Sequence, residues 1–224
     1  MAEAIDIREQ DDAQEAVAGK GVKVRESERG PFAIWENPEM GQAYELDQAL
    51  AEQVAEGFDI SALAEKFGEA PAREKLVDML QAIGPGVSTT MLFSQPGPTG
   101  MSLAHVWFGA DFPLFRHSHP RFGDCLYYVI AGEIVVGRRR LGPGSGFFVP
   151  NGMPYKYTAG PAGVELLEFR AGGGDPEAPG MKFDEHSLDA VQNLIDRAND
   201  ARPGWKRPER IGDTALVQAE LDFG

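Results

Sequence analysis

The chain has 224 residues, of which 42% are hydrophobic and 25% charged, a composition typical of a globular protein with a sizeable core. Its formal net charge of -14 argues against nucleic acid or an anionic membrane surface as a partner, because both need a basic footprint. No apolar run approaches membrane-spanning length and the first residues are acidic and polar, so we expect a cytoplasmic protein. The single cysteine, Cys125, excludes an intrachain disulfide.

The N-terminal part, residues 1–98, is predicted to be an arm followed by short strands and a helical cover. Residues 1 to about 20 are charged and lack an apolar pattern, which indicates a frayed helix or a disordered arm. Alternation over residues 21–44 predicts one or two short strands broken at Gly30-Pro31. Apolar residues then recur at three- and four-residue spacing, which predicts two or three amphipathic helices interrupted near Gly57 and Pro71.

From Thr89 onward, short runs rich in Val, Phe and Tyr alternate with Gly and Pro turns, a pattern typical of a small barrel or sandwich. We place the barrel core at residues 99–172. The predicted strands are Met101–Phe108, Pro113–Ser118, Cys125–Ile130, Ile134–Arg138, Gly146–Val149, Tyr155–Ala159 and Val164–Phe169. Residues 173–224 are predicted to form a helix and a tail that pack on the barrel, the helix with an inner face of Leu188, Val191, Leu194 and Ile195.

The most informative motif is His117-Ser118-His119, which places two of the four histidines one residue apart. On a strand the side-chain period is two, so both imidazoles point to the same face and can reach one metal ion. Asp124 and Cys125 follow shortly after and are the candidate third ligands.

Three segments together resemble the two signature motifs of the cupin superfamily: the histidine pair, the strand CLYYVIAGE from Cys125, and GSGFFVPNG from Gly144. The resemblance covers roughly residues 100–172 and implies a double-stranded β-helix, or jelly-roll, barrel with the site inside its mouth. The expected fold class is therefore an all-β jelly-roll core with an α-helical N-terminal extension and a C-terminal helix. Two positions depart from the family pattern, because Tyr155 stands where the third histidine ligand is expected and Ala159 where an asparagine is expected.

The position of the family's acidic ligand is ambiguous between Asp124 and Cys125. Counting back from Gly132 puts Cys125 in the place of the glutamate, whereas counting forward from His119 puts Asp124 there. One extra residue lies between the histidines and the glycine, and a β-bulge near Phe122-Gly123 would absorb it. A bulge after Asp124 would turn the carboxylate toward the metal, and strict alternation would turn Cys125 inward instead.

These alternatives imply different chemistry at a divalent metal. Two imidazoles and the Asp124 carboxylate would suit non-haem Fe(II), which we favour, whereas a Cys125 thiolate would favour Zn(II); Mn(II) is a further candidate. Tyr155 could ligate the metal as phenolate or act as a general acid and base on the substrate.

Four further side chains are candidate pocket residues: His105, Trp107, Tyr127 and Tyr157. His105 could replace the missing imidazole, although a histidine beside a tryptophan is more often a satisfied core residue. Glu165 and Glu168 have opposite facing on one predicted strand, so one could enter the pocket while the other would be solvated.

The resemblance implies a metal-dependent enzyme acting on a small organic substrate, with a dioxygenase-type reaction expected. The alternatives are a metal-dependent lyase or isomerase that uses Tyr155 as acid and base, or a non-catalytic barrel that binds a small ligand. The N-terminal strands and helices are expected to support a homodimer, a common state in this superfamily.

Overall fold

The computed structural model describes residues 25–26, 33–34, 36–95 and 100–214. The arm predicted over residues 1–20 lies outside the described residues. Across the described ranges, none of the helices combines the length and the apolar character needed to cross a membrane.

The described residues of the N-terminal part contain short strands and three helices, as the sequence predicts. Strands β1 (Arg25–Glu26) and β2 (Ala33–Ile34) pair antiparallel on either side of Gly30-Pro31. Helices α1 (Gln48–Glu56), α2 (Ser61–Phe67) and α3 (Glu69–Ile83) follow, with the short strand β3 (Phe58–Asp59) between the first two.

Gly57 ends α1, and the second interruption, predicted near Pro71, lies three positions before that proline. The break falls at Gly68, whose φ of 87° lies in the left-handed region that favours glycine. Pro71 then occupies the first turn of α3, where its missing N–H costs no helical hydrogen bond.

The β-core is built from eight further strands: β4 (Val87–Ser94), β5 (Ser102–Phe108), β6 (His117–Ser118), β7 (Cys125–Val136), β8 (Arg139–Leu141), β9 (Gly146–Val149), β10 (Thr158–Arg170) and β11 (Met181–Phe183). Six of them form one antiparallel sheet in the order β4-β5-β10-β7-β8, with β9 also on β7. A smaller sheet has the order β3-β11-β6. The sheets thus extend beyond the predicted core of residues 99–172, because β4 precedes that range and β11 follows it.

Two pairs of predicted strands are each continuous. Cys125–Ile130 and the first three residues of Ile134–Arg138 fall in the single strand β7, which passes through Gly132 at a φ of 67°. The last two predicted strands fall largely in β10, whose pairing with β7 shifts between Ala159 and Val164. Tyr155 precedes β10 and forms an isolated bridge with His117.

The C-terminal helix α4 (Leu188–Ala201) begins where the Ser187 hydroxyl accepts a hydrogen bond from the Ala190 N–H. Its buried face consists of Val191, Leu194, Ile195 and Ala198 and packs on α3. The following Trp205 contacts Phe112 at a ring-centroid distance of 5.6 Å and donates a hydrogen bond to the Ala110 carbonyl, which attaches the tail to the core.

The inner faces of the strands supply an apolar core that includes Ala104, Val106, Phe108, Val129, Val164 and Leu166. An all-β core of jelly-roll type with N-terminal helices and a C-terminal helix is the predicted fold class, and it is confirmed. His117 lies on β6 in the smaller sheet, with His119 directly after it, and β7 and β10 lie in the larger sheet, so the candidate site lies between the two sheets.

Candidate functional site

The two histidines of the motif lie side by side, as strand alternation predicts. The ring centroids of His117 and His119 are 4.8 Å apart and the rings meet edge to face at 88°. Ser118 points the other way, where its hydroxyl donates to Oδ2 of Asp184 at 2.7 Å. This bond fixes β6 on the segment after β11 and keeps both imidazoles turned toward the space between the sheets.

The imidazole of His117 is held by a hydrogen bond on each side. Its Nδ1 lies 3.0 Å from the Phe115 carbonyl oxygen, which can only accept, so Nδ1 carries the proton and donates. Nε2 therefore presents a lone pair, and the Tyr155 hydroxyl, 3.0 Å away, donates to it. His117 is 4% exposed, and its burial lowers the pKa to about 4, so the ring is neutral.

Tyr155 takes the position of the missing third histidine and contacts both His117 and Tyr127. Reciprocal backbone hydrogen bonds between His117 and Tyr155, at 2.9 and 3.1 Å, hold the two residues opposite each other. The hydroxyls of Tyr155 and Tyr127 are also hydrogen-bonded. Because Tyr155 donates its one proton to His117, Tyr127 donates to Tyr155, and the three groups form a directed chain. Burial, followed by the charge of Glu168, raises the pKa of both tyrosines, so both are phenols.

The ambiguity between Asp124 and Cys125 is resolved in favour of Cys125 facing inward. Cys125, Tyr127 and Val129 are buried, whereas Asp124 is exposed and accepts a hydrogen bond from the Asn151 N–H. The pairing of β7 with β9 is continuous from Cys125, so no bulge follows Asp124. Asp124 therefore does not join the histidines, and the triad of His117, His119 and Asp124 is not assembled.

The extra residue before Cys125 is absorbed at Gly123. Its φ of 76° is left-handed, and a Cβ there would lie 2.1 Å from the Gly172 carbonyl oxygen. Only glycine fits this crossing, which lies just before β7 begins. The buried Cys125 thiol has a pKa raised to about 12, mainly by burial and then by Glu168, so it is not a thiolate in this environment.

Glu168 and Arg170 both lie on the inner face of β10, and of the two Arg170 lines the cavity described below. Their positions on β10 lie opposite Tyr127 and Cys125 of β7, on the inner face. Glu168 and Arg170 form an ion pair whose side chains are 17% and 12% exposed. Arg170 was not predicted as a site residue. It lies two positions after Glu168 on a strand, and residues two positions apart on a strand share a face.

Glu165 is not solvated, contrary to expectation. It is fully buried, and its carboxylate lies 2.8 Å from Nε2 of His105 while accepting hydrogen bonds from the N–H groups of Gly212 and Thr214. The C-terminal segment thus covers this face of the sheet, which sequence periodicity could not show.

His105 and Trp107 do not line the pocket, so that prediction is wrong. They alternate on β5 with Ala104, Val106 and Phe108, which belong to the core between the sheets, and so they lie on the opposite face. Of the four candidate pocket residues, Tyr127 and Tyr157 are on the inner side, where their ring centroids are 6.4 Å apart.

A small cavity opens beside the motif residues. It is lined by His119, Gly123, Cys125, Val149, Pro150, Gly152, Met153, Tyr155 and Arg170. Met153 is 55% exposed and marks the rim. A wider open groove lies between α1 and α3, but its lining residues, which include Glu52, Glu56 and Arg73, contain neither a histidine nor a cysteine. The small cavity is therefore the candidate active site.

The pocket fits a divalent metal only if a tyrosine takes part. Within the described residues, no three side chains of His, Cys, Asp and Glu are placed to share an ion. His117 presents Nε2, however, and the buried Nδ1 of His119 has no hydrogen-bond partner among the described residues. The Tyr155 hydroxyl, 3.0 Å from Nε2 of His117, is the further oxygen beside the two histidines that could join them as a ligand.

No model of a known protein family matches the chain, and no curated protein matches it. Solved structures similar to part of the chain include KdgF from Halomonas sp., at 26% identity over 39% of this chain and 82% of that chain, with a TM-score of 0.34. An RmlC-like cupin from Shewanella frigidimarina NCIMB 400 is 24% identical over 41% and 80%, with a TM-score of 0.33. The DMSP lyase DddQ from Ruegeria pomeroyi DSS-3 is 25% identical over 42% and 50%, with a TM-score of 0.35.

Most of these similar structures are of cupin-fold proteins, the fold that the motifs of this chain resemble. Structural similarity at these TM-scores does not indicate the activity of this chain. The metal and its identity, the reaction and the homodimer therefore stay predictions.

Proposed function

We propose that the chain is an enzyme that transfers a proton to or from a small organic molecule in the cavity, in a lyase or isomerase type of reaction. The observation that supports this proposal is the hydrogen-bonded chain from Tyr127 through Tyr155 to His117. General acid–base groups must lie within hydrogen-bond reach of the proton they move. Tyr155 meets this requirement, because it lines the cavity on one side and contacts a neutral imidazole on the other.

A lyase or isomerase is favoured over the dioxygenase because the expected carboxylate is not available. Asp124 is exposed and bonded to the Asn151 N–H, and Glu168 is paired with Arg170. The 2-His-1-carboxylate arrangement of non-haem iron oxygenases therefore lacks its third member among the described residues.

The residues that would hold a divalent metal are His117 and His119, with Tyr155 as a further ligand only in place of its acid–base role. A metal bound there would polarise a substrate oxygen and lower the pKa of a neighbouring phenol. The chain's own groups do the rest. Tyr155, kept a phenol by burial, can give its proton to a substrate atom in the cavity, and Tyr127 can then stabilise the resulting phenolate with its hydroxyl hydrogen.

Solvent exchange tests the proposal without knowledge of the natural substrate. Small 2-oxo and 3-hydroxy carboxylic acids are incubated with the protein in D2O, with and without added Fe(II), Mn(II) or Zn(II), and deuterium uptake at carbon is followed by NMR. We expect exchange or elimination with at least one compound and a loss of at least a hundredfold in Tyr155→Phe, since general acid–base catalysis contributes about 10² or more. Equal rates for the wild type and Tyr155→Phe would contradict the role of Tyr155.

A non-catalytic barrel that binds a small ligand is the second candidate. Two observations support it. The cavity is narrow, and neither Asp124 nor Glu168 joins the histidine pair. Ligand binding with no deuterium uptake in any compound would favour it.

A further inference from the structure

Arg170 brings a positive charge into the cavity. It lies on the inner face of β10, opposite Cys125 of β7, and lines the cavity with His119 and Tyr155. Its side chain is 12% exposed. Both histidines are neutral because of their burial, so Arg170 and Glu168 are the charged side chains that act on this group of residues.

The hydrogen-bonding capacity of Arg170 is only partly used. One terminal nitrogen, Nη2, pairs with Glu168, and the Phe122 ring lies 5.4 Å from Cζ in a cation–π contact. The other terminal nitrogen, Nη1, is buried and has no hydrogen-bond partner among the described residues. Buried polar groups are nearly always paired, and an unpaired donor costs about 1–3 kcal/mol, more when it is charged. Such a donor beside a cavity is a site for an oxygen acceptor.

We propose that Nη1 of Arg170 binds the carboxylate of a small organic acid, which makes the substrate class a monocarboxylic acid. This inference rests on the proposed function. Guanidinium N–H groups bind carboxylates through charge-assisted hydrogen bonds. A carboxylate at Arg170 places the carbon atoms next to it in the cavity that Tyr155 also lines, so that the proton-transfer group and the anchor act on one small molecule.

A carboxylate fits this site better than a phosphate does. Glu168 already neutralises part of the guanidinium charge, and Nη1 offers only two N–H donors. Phosphate carries more charge and more acceptor oxygens than these donors can satisfy.

Binding of propionate to the metal-free protein tests the proposal, with propionamide as the uncharged analogue and inorganic phosphate as the competing oxyanion. Calorimetric titration and the rise in melting temperature with ligand concentration give the affinity. We expect propionate to bind at least tenfold more tightly than propionamide or phosphate.

Four variants assign the binding to Arg170. Arg170→Gln alone leaves Glu168 without its partner and could unfold the chain, so Glu168→Gln/Arg170→Gln removes both charges together. We expect at least tenfold weaker propionate binding in the double variant and in any folded Arg170→Gln protein. Glu168→Gln keeps Nη1 and should bind propionate at least as tightly as the wild type. Arg140→Gln is the matched control, because Arg140 also pairs with a glutamate, Glu133, but is 66% exposed.

Equal propionate binding by the wild type and a folded double variant would overturn the proposal, as would no preference for propionate over propionamide or phosphate. These results are independent of turnover. If propionate binds through Arg170 while Tyr155→Phe exchanges deuterium as fast as the wild type, the proposed function fails and the carboxylate site stands.

Discussion

Acidification of the metal-free protein should destabilise it through His117. Burial lowers the pKa of this residue from 6.5 to about 4, with the Arg170 cation acting in the same direction and the Phe115 hydrogen bond against it. As the pH falls below 6.5, the unfolded chain takes up a proton at this position and the native protein does not. The unfolded state is then favoured, so stability is highest above pH 6.5 and is lost between pH 6.5 and about 4.

The size of the effect follows from the gap between the two pKa values. Each pH unit over which only the unfolded state binds the proton costs about 1.4 kcal/mol. The fall from 6.5 to about 4 therefore removes about 3 kcal/mol of unfolding free energy. Below about pH 4 the native ring also protonates and the contribution of His117 becomes constant. His119, whose pKa is likewise lowered by burial, acts in the same direction.

Urea unfolding at a series of pH values, in the presence of a chelator, measures this loss. His117→Asn serves as the comparison, because asparagine does not titrate and the carboxylates of both proteins contribute alike. The difference in unfolding free energy between the two proteins should change by about 3 kcal/mol between pH 7 and 4. A difference that stays constant over this range would refute the assignment of His117 as a buried neutral imidazole.

Three further predictions concern the residues around the site. Native Cys125 should react with iodoacetamide at pH 8 far more slowly than in the urea-unfolded chain, because its pKa is raised to about 12; equal rates by mass spectrometry would contradict its inward position. Gly123→Ala should destabilise the protein much more than Gly144→Ala, since both have a left-handed φ but only Gly123 would place a Cβ against a carbonyl oxygen; similar melting temperatures would contradict the role of that crossing. Glu165→Gln should lower the free energy of unfolding in urea by about 2–3 kcal/mol, because a buried carboxylate loses charge-assisted hydrogen bonds. Glu133→Gln, in the ion pair with the exposed Arg140, should lower it by less than about 1 kcal/mol. Equal losses would show that the buried Glu165–His105 pair adds no stability.

The parts of the site that could be predicted depend on local periodicity. The shared face of His117 and His119 follows from a period of two, as does the inward facing of Cys125 and Tyr127 once the register is known. The inner face of α4 follows from helical spacing in the same way. In each case, neighbours within about four positions decide which way the side chain points.

The choice between Asp124 and Cys125 could not be predicted, because it depends on a distant contact. Gly123 adopts its left-handed φ where it crosses Gly172, which is 49 positions later in the sequence. The extra residue is taken up at that crossing and not inside β7. Counting residues between motif positions assigns the acidic ligand only if the site of the insertion is known, and the insertion lies where two remote segments touch.

The position of a residue on a strand determines which face it lies on but not whether that face is buried, as Glu165 and Glu168 show. They are three positions apart on one strand, so strand geometry places them on opposite faces, as predicted. Which face is covered, however, depends on other parts of the chain: Gly212 and Thr214 close over Glu165, and His105 of β5 pairs with it. Glu168 instead meets Arg170, two positions on along the same face. Because that pairing occupies only one side of the guanidinium, one charged donor of Arg170 is left without a partner among the described residues, beside the cavity that Tyr155 lines.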